Sequence, residues 1–122
     1  MMTAKQWARV RYAGVHGLRR GAWYVVVAEG KAGMLVLSVS KRNVPVPRDQ
    51  LDLAGEPPTH WSIVEWKASE RGAQRASEAG IGPTYAVCPG CRARARIEPI
   101  DAVSMVCLEC GEEFSVDWER RC

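Results

Sequence analysis

The chain has 122 residues, 47% of them apolar and 25% charged, with 17 Lys and Arg against 14 Asp and Glu for a net charge of +3. That length allows one ordinary domain or two very small ones, and the composition excludes wholesale disorder. The longest stretch free of acids, Lys, Arg and His is the 13 residues 79–91, which hold two prolines and three glycines, so no segment reads as a membrane span.

Lys5, Arg9 and Arg11 interrupt the amino-terminal stretch where a signal peptide would need an unbroken apolar core, so the expected location is the cytoplasm. Residues 1–66 read as short strands and turns, because Val-rich and aromatic runs are broken by Gly, Pro and Asn. The runs are Trp7–Tyr12, Ala22–Ala28, Met34–Ser40, Val44–Val46 and Trp61–Trp66. Pro45 and Pro47 cannot donate to a ladder, which places the fourth run at an edge or a barrel corner. Trp61–Trp66 is expected to be the strand that closes this unit, and Trp7, Trp23, Trp61 and Trp66 to fill its core.

The stretch Leu18-Arg19-Arg20-Gly21-Ala22-Trp23, followed by Met34–Leu37, then Val44-Pro45-Val46-Pro47 and Leu51, resembles an SH3-like small barrel. That resemblance covers about half the chain and implies a barrel over residues 1–66.

From Lys67 to Ala79 the composition shifts to Ala, Ser, Glu, Gln and Arg, with Gly80 placed as a C-cap, so a short helix is expected. It has no clear apolar stripe, and residues 67–83 therefore read as a surface helix or spacer.

Residues 84–122 hold the most specific signal. Cys88-Pro89-Gly90-Cys91 and Cys107-Leu108-Glu109-Cys110 are two C-x2-C pairs 15 residues apart. Two residues between thiolates let the backbone turn so that both sulfurs converge on one ion, and two such turns complete a tetrahedral shell. The competing readings are two disulfides or a redox dithiol; the first needs an oxidising compartment and the second a strand-to-helix context.

Tyr85, Val87, Cys88, Cys91, Val106, Cys107, Cys110, Gly111 and Phe114 together resemble a zinc ribbon of the rubredoxin-like kind. The resemblance implies one structural Zn2+ held by Cys88, Cys91, Cys107 and Cys110, with an iron redox carrier as the lesser alternative. Arg92 departs from the pattern, standing where the first knuckle often has Gly. Cys122, the odd cysteine, is expected to be a free exposed thiol and not a ligand.

Charge suggests where partners would bind. Residues 1–66 carry +4 and residues 85–122 carry −2, to which four thiolates around a divalent ion add a further −2. Arg92, Arg94 and Arg96 alternate with Ala93, Ala95 and Ile97, and the Arg stripe is expected to pair across the sheet with the acids of 113–119. The expected nucleic-acid contacts are Arg9, Arg11, Arg19, Arg20, Lys41 and Arg42 in the first unit, where His16 lies in the same basic cluster.

No nucleophile–base or paired-carboxylate arrangement is visible, and no enzymatic activity is expected. The chain as a whole reads as a mostly β, two-unit, non-enzymatic zinc-binding module associated with nucleic acid or with a transcription or translation complex. The alternative is a protein adaptor whose acidic ribbon docks on a basic partner.

Overall fold

The computed structural model describes residues 5–12, 18–119 and 121–122, so His16 lies outside the described residues. The chain is mostly β and divides into two compact units, Met1–Pro58 and Thr59–Cys122.

The first unit is one antiparallel sheet. Its strands are β1 (Gln6–Val10), β2 (Trp23–Glu29), β3 (Met34–Val39), β4 (Arg42–Pro47) and β5 (Leu51–Ala54), in the order β4-β3-β2-β1-β5. A single 3-10 turn, Arg48–Gln50, carries the chain from one edge strand to the other, curling the sheet into a half-barrel. The prolines of β4 stand on an edge, where a missing N–H costs no ladder bond.

Residues opposite each other in a ladder share a face, and here Ala8 meets Tyr24, Val10 meets Leu51 and Leu35 meets Val46, all buried. The opposite face carries Trp7, Arg9, Trp23 and Asp52. Trp7 and Trp23 are therefore half-buried on the outer face, not in the barrel core as their size suggested.

The second unit contains β6 (His60–Glu65), α1 (Arg71–Glu78), β7 (Thr84–Val87), β8 (Arg94–Ala95), β9 (Ser104–Val106) and β10 (Glu113–Val116). The order is β8-β7-β6-β10-β9, with β6 parallel to β10 and the other pairs antiparallel. The strand at Trp61–Trp66 thus does not close the first unit. It is the central strand of the second, and the boundary falls after Pro58 instead of after residue 66.

The physical reason lies in the burial of its two faces. Trp61 and Ile63 on one face and Ser62 and Val64 on the other are all sealed from solvent, as a central strand requires. An edge of the first sheet tolerates a strand that is only partly covered, and β5 supplies one, with Leu51 buried, Asp52 and Ala54 half-buried and Leu53 exposed.

The helix is shorter than the composition suggested and is not a spacer. It belongs to the second unit, with Ala73 and Ala76 buried, and Gly72 lies so close to Trp66 that a Cβ would fall 2.3 Å from the indole ring. Trp66 in turn donates its Nε1–H to the Tyr85 hydroxyl at 2.9 Å. Small residues replace the missing apolar stripe by letting the helix backbone approach an aromatic ring.

The Arg and acid stripes do not pair as expected. β7 and β6 stand between β8 and β10, so no ladder joins 92–97 to 113–119. Arg96 pairs locally with Glu98 at 3.4 Å. The inward halves of both alternations hold: Ala93, Ala95, Ile97, Phe114 and Trp118 pack against one core with Trp61, Ile63, Ala86, Cys88, Cys107 and Val116.

No helix among the described residues is long and apolar enough to cross a membrane.

Candidate metal centre

The two C-x2-C turns leave the ends of β7 and β9 and are built alike. The N–H of Arg92 bonds to the Cys88 carbonyl at 3.0 Å, and that of Gly111 to the Cys107 carbonyl at 2.8 Å. The N–H of Cys88 bonds to the Ala93 carbonyl and that of Cys107 to the Glu112 carbonyl, each at 2.8 Å. Each turn therefore closes on its first cysteine and aims both sulfurs at the other turn.

The four Sγ atoms of Cys88, Cys91, Cys107 and Cys110 lie within 4.8 Å of one another. Cys88 and Cys110 are 3.8 Å apart and Cys91 and Cys107 3.5 Å apart, so both of these close pairs link one turn to the other. Metal–sulfur bonds of about 2.3 Å in a tetrahedron give sulfur–sulfur edges of about 3.8 Å. The donor set fits a four-thiolate metal ion, and a shell of four protein ligands leaves no open position.

Burial divides the four cysteines: Cys88 and Cys107 sit in the core and Cys91 and Cys110 face outward. Burial pushes the Cys88 thiol up to about 12, against the pull of the Cys91 and Gly90 N–H groups, and it raises Cys91 as well. At Cys107 the same burial is outweighed by the N–H groups of Cys110 and Glu109 and by the neighbouring thiols, which bring it down to about 7. Backbone donors aimed at a sulfur favour the thiolate, the form that binds metal.

Cys122 stands apart from the cluster, as its sequence position suggested. It is not an exposed tail residue, however. It is half-buried, its N–H bonds to the Ile63 carbonyl at 2.7 Å and its carbonyl accepts from Glu65.

The six expected anion contacts separate into two groups. Arg9 is 4% exposed: it bonds Asp52 through Nε at 3.1 Å and Nη2 at 2.9 Å and stacks on Trp23 at 5.4 Å. This corrects its expected role, because the alternation that gave it an outward position also placed it opposite an acid and an aromatic ring. Arg11 is exposed and lies 3.8 Å from Asp52. Arg19, Lys41 and Arg42 are exposed and Arg20 is half-buried.

The register gathers these five at one end of the first sheet. The end of β1, the start of β2, the end of β3 and the start of β4 coincide there, since Arg9 faces Trp23, Val26 faces Leu37 and Val39 faces Arg42. Tyr12, 51% exposed with the Arg11 guanidinium over its ring at 5.6 Å, belongs to the same end. In the sequence Tyr12 ends a strand run, and its place directly after Arg11 is the signal that marks it as an aromatic among cations.

No protein-family model matches the sequence, and no curated protein and no solved structure is significantly similar to it.

Proposed function

We propose that the protein is a non-enzymatic zinc-binding module, with a rubredoxin-like ribbon in the second unit held by one structural Zn2+ and an SH3-like first unit that contacts nucleic acid. The observation that carries the metal reading is the convergence of four sulfurs at tetrahedral separations. Zinc is chosen over iron on the resemblance of Tyr85–Trp118 to zinc ribbons. A shell of four protein thiolates with no open position supports a folding role for the ion, with a contribution of order 10 kcal/mol.

Support for nucleic-acid contact comes from the shared end of the first sheet, where Arg11, Arg19, Arg20, Lys41 and Arg42 gather beside the exposed Tyr12. Residues 1–58 hold nine Lys and Arg against four Asp and Glu, a net of +5, so a polyanion is steered to this unit. Cations then hold phosphates while the aromatic ring stacks on a base.

The test is a titration of single-stranded and duplex oligonucleotides at two salt concentrations. Binding that weakens with salt, with the slope flattened by about two units in Arg19→Ala/Arg20→Ala, supports the contact. Equal affinities for the two proteins, or no binding at low salt, would remove it.

A second reading, a protein adaptor, is favoured by one observation: Val103, Val106 and Leu108 stand exposed beside the second knuckle, among acids.

A further inference from the structure

The second sheet ends in a bare strand. β9 is terminal in the order β8-β7-β6-β10-β9, and among the described residues it pairs with β10 alone. In an antiparallel ladder alternate residues turn their N–H and C=O groups towards the partner. The Val103 carbonyl accepts from Val116 and the Cys107 N–H donates to Glu112, which puts Val103, Met105 and Cys107 in the bonded set. Ser104 and Val106 therefore present their N–H and C=O groups to the open side.

Protein chains blunt such edges with charge, proline or a covering segment. Here residues 102–108, Ala-Val-Ser-Met-Val-Cys-Leu, contain no charge and no proline. Val103 is 79% exposed, Val106 52% and Leu108 97%. Isolated exposed apolar side chains are ordinary, but here Val106 and Leu108 on one side of the strand line and Val103 on the other put apolar contact on both faces of the edge, which favours an added strand.

The rim of this edge is acidic. Glu109, Glu112 and Glu113 are exposed and have no ion-pair partner among the described residues, and Glu113 lies directly opposite Val106. Four thiolates on a divalent ion add two further negative charges to the adjoining knuckle.

We propose that β9 is a docking edge for an extended, basic and apolar peptide segment of a partner protein, which adds as a sixth strand beside β9 and sets its cations against Glu109, Glu112 and Glu113. The proposal rests on the adaptor reading and does not involve the basic end of the first unit. Backbone bonds to Ser104 and Val106 supply affinity in any sequence, Val103, Val106 and Leu108 select apolar side chains, and the acids select basic ones. Nucleic acid is disfavoured here, because the same acids repel phosphate.

The experiment is an amide chemical-shift titration of the full-length, zinc-loaded protein with an N-acetylated heptapeptide amide of alternating Lys and Val. Saturable shifts at Ser104 and Val106 are expected, with slower hydrogen exchange at these two amides. Binding should fall at least about tenfold in Val106→Lys, which charges the edge. It should weaken in Glu112→Gln/Glu113→Gln, which leaves the strand pattern intact and serves where the first variant disturbs folding. A peptide N-methylated on alternate residues and a Glu/Val peptide should both fail.

Equal binding of the N-methylated peptide, or an oligonucleotide shifting the same amides, would overturn the proposal. Shifts confined to another face of the second unit would overturn the docking edge while leaving the adaptor reading in place. No shift anywhere at about 1 mM peptide, a free-energy ceiling of roughly −4 kcal/mol, would remove both.

Discussion

Arg92 and Gly111 occupy equivalent positions, each one residue past the second cysteine of its turn, and each has a left-handed backbone, φ +68° and φ +78°. Both donate their N–H to the carbonyl of the cysteine that opens the turn. One site has the residue the conformation favours and the other does not.

Swapping the residue types should thus shift stability in opposite directions. A left-handed conformation costs an L-residue roughly 1–2 kcal/mol, part of which glycine returns through its larger unfolded-state entropy. Arg92→Gly is expected to stabilise the zinc-loaded second unit by about 0.5 kcal/mol. Gly111→Ala, with nothing within 4 Å of the added Cβ, should destabilise it by about 1 kcal/mol. Chemical denaturation followed by tryptophan fluorescence checks both; the same sign for the two would break the equivalence.

The Arg9–Asp52 pair predicts a structural effect at a position that charge alone marked for binding. Arg9→Ala leaves Asp52 without its main cation and Trp23 without the stacked guanidinium, and should cost the first unit about 2 kcal/mol, discounted because Asp52 is partly exposed. Arg9→Met, which keeps the packing volume, should cost less. Neither should alter the salt slope of oligonucleotide binding by the folded protein. A loss of about one unit of slope in Arg9→Met would return Arg9 to the contact surface.

The placement of β6 predicts which unit responds to Trp61. Its ring is fully buried, and its Nε1–H donates to the Met105 carbonyl on β9 at 2.9 Å. Trp61→Ala should lower the stability of the second unit by about 3–5 kcal/mol. The amide spectrum of residues 18–54 should stay native, and loss of that spectrum with an intact second unit would put β6 back in the barrel.

These two cases show what was legible. The C-x2-C spacing alone picked out the four cysteines that cluster, because tetrahedral sulfur chemistry leaves few solutions, and alternation correctly turned Ala93, Ala95 and Ile97 inward. The unit to which β6 belongs is not legible from its pattern, because a run buried on both faces has no period to tell whose core it enters; Pro57-Pro58, just before it, is the boundary signal in the sequence. Arg9 was misread because outward alternation gives a face and not a neighbour. Asp52, 43 residues away, becomes that neighbour only through the pairing of β1 with β5.

Metal binding should be strongly pH-dependent. The raised Cys88 and Cys91 thiols keep their protons near neutrality until the ion displaces them, so at least two protons leave per ion bound. Protons therefore compete with metal, and affinity should rise with pH by about two decades or more per unit around pH 7. Calorimetry in buffers of different ionisation enthalpy counts the protons, and fewer than two per ion would contradict the burial argument.

The proposed function rests on one zinc ion held jointly by Cys88, Cys91, Cys107 and Cys110. Its most direct test is metal content, by native mass spectrometry and elemental analysis, of the wild type, Cys107→Ser and Cys122→Ser. The wild type and Cys122→Ser should each carry one zinc and be colourless, whereas Cys107→Ser should lose the ion and the ordered second unit while the first stays folded. Stoichiometric zinc in Cys107→Ser, or a coloured iron centre in the wild type, would contradict the account.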